Sequence, residues 1–105
     1  MSAASDSPAA SKLTIVAHIT ARPGQADFVK AELQKVIPLT LAEAGCLQYD
    51  LHQDNQTPEQ FLFYENWTTR ALWQDHMQSD HIAAMRAATQ DAVAETTIYE
   101  MTPCS

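Results

Sequence analysis

Glu65, Trp67 and His76 are the side chains of this 105-residue chain whose types and spacing suit proton chemistry in an apolar setting. In the segment 60–67, strand alternation puts Phe61, Phe63, Glu65 and Trp67 on one face, and Leu62, Tyr64 and Asn66 on the other. A helix follows, in which His76 shares a stripe with Leu72, and Trp73 with Met77. Folded back over the Trp67 face, that helix would close an aromatic, dry pocket bounded by Trp67, Trp73 and Phe63, holding an imidazole and a carboxylate. Apolar walls with a few convergent polar groups are what a small-molecule site requires. His76 is the candidate base, because histidine titrates near neutral pH. Trp67 and Trp73 are candidates to stack on a substrate ring and to orient an oxygen through their indole N–H groups. Glu65 is the candidate to hold the imidazole tautomer or to accept a substrate hydroxyl. His81 begins a further helix, where the dipole disfavours its charged form, and is a second base or hydrogen-bonding candidate.

Each of these residues also has a structural reading. Trp67 and Trp73 read equally well as core aromatics, and His76 as a core histidine with its hydrogen bonds met. Glu65 reads as a paired buried acid, and His81 as an exposed residue of a capping turn. His18 and His52 read as surface or dimer-interface groups. His76 and His81 are five apart, not the four that sets two ligands on one helical face, and no cysteine pair stands at zinc spacing. The sequence therefore predicts no metal site.

The elements that must position these residues follow from periodicity. Leu13, Ile15, Ala17, Ile19 and Ala21 alternate with Thr14, Val16, His18 and Thr20, which is a strand. Arg22-Pro23-Gly24 ends it. From 25 to 44 the period becomes helical, with Val29, Leu33, Val36, Ile37 and Thr40 on one stripe, and Pro38 expected to kink or loosen the last turns. Gly45 suits the helix end. Leu47, Tyr49 and Leu51 mark a second strand, residues 53–59 a polar turn, and residues 60–67 a third strand paired as a hairpin. Thr68 or Thr69 caps a short helix, Ser79 caps another from 80 to about 88, and residues 93–101 form the last strand. The order βαββαβ, with its second helix split, is the ferredoxin-like α+β motif. Strands one and three are apolar on both faces, which predicts two sheets packed face to face in a homodimer.

Composition narrows the partners. A net charge of −7 repels phosphate backbones and anionic membrane faces, so neither nucleic acid nor membrane is expected. Residues 1–11 read as a disordered tail and 12–105 as one domain. There is no secretory signal pattern, and Cys46 and Cys104 lie far apart, so the expectation is reduced thiols in the cytoplasm.

Residues 13–103 resemble the antibiotic biosynthesis monooxygenase superfamily of cofactor-independent quinol and anthrone oxygenases. The likeness is carried by Arg22-Pro23-Gly24, by Glu43-Ala44-Gly45-Cys46-Leu47-Gln48-Tyr49, by Tyr64-Glu65-Asn66-Trp67, and by His76 with Ser79-Asp80-His81. It implies a dimeric α/β barrel acting on an electron-rich quinol or phenol whose anion reduces dioxygen directly, with neither metal nor flavin. Haem-degrading relatives pair a tryptophan with a helical histidine and also use a first-strand asparagine, which this first strand lacks. Two further readings remain: an isomerase of a small carbonyl sugar-phosphate, for which only Arg70 and Arg86 lie near the helices, and a non-catalytic binder of small aromatics.

Overall fold

The computed structural model describes residues 12–105; the tail expected at 1–11 lies outside them. The elements run β1 (Leu13–Ala21), α1 (Ala26–Leu41), β2 (Cys46–Gln53), β3 (Gln60–Trp67), α2 (Arg70–Met77), α3 (Asp80–Thr89) and β4 (Val93–Met101). The four strands form one antiparallel sheet in the order β2-β3-β1-β4. This is the ferredoxin-like arrangement with its second helix in two pieces. Among the described residues no helix is long and apolar enough to cross a membrane.

The core lies between one face of the sheet and the helices. Ile15, Ala17, Ile19 and Ala21 from β1 meet Phe61, Phe63 and Trp67 from β3, and Val29, Leu33 and Val36 of α1 cover them. α1 keeps its helical course through Pro38 to Leu41, so the expected loosening does not shorten it. In β2 the expected alternation fails at its start. Cys46 pairs with Trp67 and Gln48 with Asn66, so Leu47 is the extra residue of a bulge and stays exposed. Tyr49 and Leu51 then face the helices as expected.

Two local devices set the position of α2 and α3. Gly45 has φ +86°, and its carbonyl accepts from Thr68 N at 2.9 Å, tying the α1–β2 loop to the start of α2. A Cβ at Gly45 would stand 2.5 Å from Leu72 Cδ1 and 2.9 Å from Thr68 Oγ1, so only glycine permits this approach. Ser79 separates α2 from α3. Its Oγ donates to the His76 carbonyl at 2.7 Å and accepts from Ile82 N at 3.4 Å, ending one helix while capping the next. Thr69 caps α2 by accepting from Leu72 N.

Candidate functional site

His76 closes the last turn of α2 and is almost fully buried. Its Nδ1 lies 2.6 Å from Glu43 Oε2, and a carboxylate oxygen cannot donate, so Nδ1 carries the proton. His81, in the first turn of α3, brings Nε2 to 2.9 Å from the same Glu43 oxygen. Thr40 Oγ1 and Ser79 Oγ lie 3.3 Å from that nitrogen. The two imidazoles therefore converge on one carboxylate, and the break at Ser79 makes this possible. On one continuous helix a spacing of five would have separated them.

The ring of His76 is held on two sides. Trp67 lies 4.8 Å away, centroid to centroid, and Tyr49 meets it edge-on at 5.4 Å while stacking on Phe63 at 4.5 Å. Its Nε2 has no hydrogen-bond partner among the described residues. His76 also lines a cavity of ≈ 280 Å³, walled by Phe63, Tyr49, Ile82, Met85 and Ile98 among others, with Arg86 at its edge. The lone pair of Nε2 is thus the basic atom available to a molecule in this cavity. Burial is the main reason the imidazolium is disfavoured, and His76 titrates below its ordinary 6.5. The Glu43 hydrogen bond and charge oppose that shift, while His81 and Arg86 add to it.

The other sequence candidates sit differently. Glu65 does not hold the imidazole; that is the work of Glu43. Glu65 Oε1 instead accepts from Trp67 Nε1 at 3.0 Å, which occupies the indole donor expected to orient a substrate oxygen. Burial pushes the Glu65 carboxyl up to about 7; the Trp67 hydrogen bond opposes this and the Glu43 charge adds to it. Trp67 is wholly buried against the His76 ring and does not wall the cavity. Trp73 also lies off the cavity, with Arg70 stacked 5.9 Å from its ring centroid and its buried Nε1 without a partner among the described residues. His81 touches Glu43 and not the cavity. Of the predicted residues, only Phe63 and His76 line it.

Glu43 and Tyr49 are the members that residue-by-residue reading did not select. Tyr49 follows from its inward place in β2. Glu43 has one legible signal: an acid just past a helix C-terminus, where the dipole disfavours it, asks for a cationic or donor partner. Glu43, His76 and His81 are also the group among the described residues with donor atoms close enough to hold a metal ion.

Comparison with known proteins bears on the family and the fold. The sequence pattern described as "Antibiotic biosynthesis monooxygenase" matches residues 12–88. The chain belongs to the antibiotic biosynthesis monooxygenase family. A relative from Escherichia coli strain K12, "Probable quinol monooxygenase YgiN", is 30% identical over 101 residues, covering 87% of this chain and 97% of its own. The crystal structure of PA3566 from Pseudomonas aeruginosa superposes with a TM-score of 0.86 at 33% identity, over 90% of this chain and 96% of that one. The structure of Rv0793 from Mycobacterium tuberculosis shares the fold with a TM-score of 0.83 at 24% identity, over 90% and 97%.

Proposed function

We propose that this member of the monooxygenase family oxidises a small aromatic quinol or phenol with dioxygen, without metal or flavin, and that His76 Nε2 removes the hydroxyl proton. The observation that carries the reading is the Glu43–His76 pair. It fixes the proton on Nδ1 and leaves Nε2 as the free lone pair of a ring that lines an apolar cavity.

The energetics permit this. A phenol ordinarily titrates near 10, and transfer to an imidazole below 6.5 spans at least ~3.5 pKa units, or about 5 kcal/mol. A turnover of ~10 per second allows a total barrier of about 16 kcal/mol, so proton transfer consumes a third of it. Glu43 reduces the uphill step by stabilising the imidazolium as it forms. The quinolate then passes one electron to dioxygen, and the two radicals join at a ring carbon as a peroxide anion that takes the proton back from the His76 imidazolium. The hydroperoxide loses water, leaving a new carbonyl; one oxygen atom enters the product and the other leaves as water. All four electrons come from the substrate, so no outside reductant enters. Phe63, Tyr49 and Met85 supply flat, polarisable walls for the ring.

The reading includes a homodimer in the cytoplasm. The helix-free face of the sheet carries Val16, Leu62, Tyr64, Tyr99 and Met101 on adjacent strands, and the last three are 38–49% exposed. A row of hydrogen bonds crosses that face, from Thr14 to Asn66 and on to Gln48 and Asp50, giving a second copy a fixed polar seam to meet. Light scattering at micromolar concentration is expected to give twice the chain mass; the single-chain mass would end that part of the reading. For the reaction, metal-depleted protein supplied with reduced quinols is expected to speed oxygen uptake over autoxidation and to place one labelled atom from oxygen-18 gas in the product. Uptake no faster than in buffer for a panel of quinols and catechols would reject the function.

A further inference from the structure

The Glu43–His76–His81 cluster has a capacity that proton transfer leaves unused. Each of the three residues offers one ligand atom within 4.8 Å of the others, and His76 Nδ1 and His81 Nε2 both face Glu43 Oε2. Two imidazole nitrogens and one carboxylate oxygen are a donor set that divalent first-row transition metals take, each donor at about 2.0–2.2 Å. Around such an ion the donors stand about 3.4 Å apart in a tetrahedron. Here the two nitrogens are 2.6 and 2.9 Å from the shared oxygen, so each contact must open by under about 1 Å. We propose that Glu43, His76 and His81 form a reversible site for a divalent transition-metal ion such as Zn2+, bound to His76 through Nδ1.

Three features support it. Each ligand comes from the end of an element: the α1–β2 loop, the last turn of α2 and the first turn of α3, where small adjustments are cheapest. The Glu43 and His81 side chains are 18% and 17% exposed, which gives the ion a way in from solvent. Three protein donors leave a coordination position for water.

The same geometry decides what the ion does. Of the three ligands only His76 touches the apolar cavity. Nδ1 and Nε2 stand on opposite edges of the ring, so an ion on Nδ1 lies away from the cavity and does not meet a substrate there. Its effect passes through the tautomer. When the metal takes the Nδ1 lone pair, the ring proton of neutral His76 moves to Nε2, and the basic lone pair is lost. The His81 proton likewise moves from Nε2 to Nδ1, so protons balance. This consequence for turnover rests on the proposed function; the site itself does not. A metal-bound histidine usually donates its other N–H to an acceptor, worth about 10–100-fold in affinity. His76 Nε2 has no such acceptor among the described residues, so the ion exchanges and does not stay as a permanent part of the protein.

Calorimetric titration of the chelator-stripped full chain with zinc chloride, without substrate, tests the site. The expected result is one Zn2+ per chain, with Kd about micromolar or tighter. Binding is expected to weaken at least ~10-fold in Glu43→Ala, His81→Ala and His81→Asn, and to persist in His18→Ala and His52→Ala. Circular dichroism establishes that each variant is folded. Absence of stoichiometric binding overturns the site, as does binding that keeps its affinity in Glu43→Ala or in both His81 variants. Oxygen uptake by the wild-type chain tests the consequence separately. It should fall as Zn2+ fills the site and return on chelation; full activity at saturating Zn2+ would overturn the tautomer switch.

Discussion

Replacing Glu65 by Gln should stabilise the protein at alkaline pH and flatten its stability–pH curve. Glu65 is 3% exposed and its carboxyl is pushed from 4.5 to about 7, chiefly by burial. The folded state therefore holds the proton more tightly than the unfolded chain. Between about 4.5 and 7 the native state binds more protons, so stability falls as pH rises through that window. Below it the group contributes no penalty, and above it the penalty is complete. A shift of roughly 2.5 units corresponds to about 3 kcal/mol. Glutamine imitates the protonated acid: its Oε1 still accepts from Trp67 Nε1, and its NH2 takes the place of the acid O–H. Glu65→Gln should match wild type near pH 5 and exceed it by about 2–3 kcal/mol near pH 8.5. His76 acts in the opposite sense. Its pKa is lowered, so its contribution is complete above 6.5 and is lost as pH falls below it. That contribution is common to both proteins and cancels in the difference. Urea denaturation at several pH values and one protein concentration measures it. If the two proteins lose stability in parallel from pH 5 to 8.5, Glu65 is already ionised in the folded state and the burial argument fails.

Gly45→Ala should cost at least about 2 kcal/mol in urea unfolding, because a left-handed φ is forced on alanine and its Cβ strikes Leu72 and Thr68; an unchanged midpoint would contradict the close approach. The acid limb of kcat/KM should have its midpoint below 6.5, since the neutral imidazole is active and burial favours it; a midpoint above 6.5 would mean that Glu43 outweighs burial. Glu43→Gln should lower kcat about 100-fold, because a neutral amide can still accept from the imidazoles but no longer stabilises the imidazolium by its charge; steady-state oxygen uptake reads this, and an unchanged kcat would remove Glu43 from the mechanism.

The parts of the fold that depend on local pattern were legible in the residues. Alternation in 13–21 and 60–67, the Val29–Leu33–Val36–Thr40 stripe, and the caps at Thr69 and Ser79 each act over a few residues, and each appears where expected. The shared face of Glu65 and Trp67 follows from the same alternation. The partnership of His76 with His81 was not legible, because the spacing rule assumes one continuous helix and Ser79 interrupts it. Glu43 sits in a loop with no period, so only its poor fit to the α1 dipole hinted at a partner. The roles of Trp67, Trp73 and Glu65 depended on how closely α2 settles on the sheet. It settles close enough that Trp67 fills the space beside His76, and the cavity opens on the far side of the imidazole, towards α3 and β4.

A single-turnover experiment tests most directly whether His76 is the base. Metal-depleted wild-type protein and His76→Ala, both shown to be folded, are mixed anaerobically with excess protein over a reduced quinol and then exposed to dioxygen. A general base is worth about 100–10,000-fold, so product formation in His76→Ala should slow by that range while the wild type turns over without metal. Product formed by His76→Ala at the wild-type rate would contradict the account.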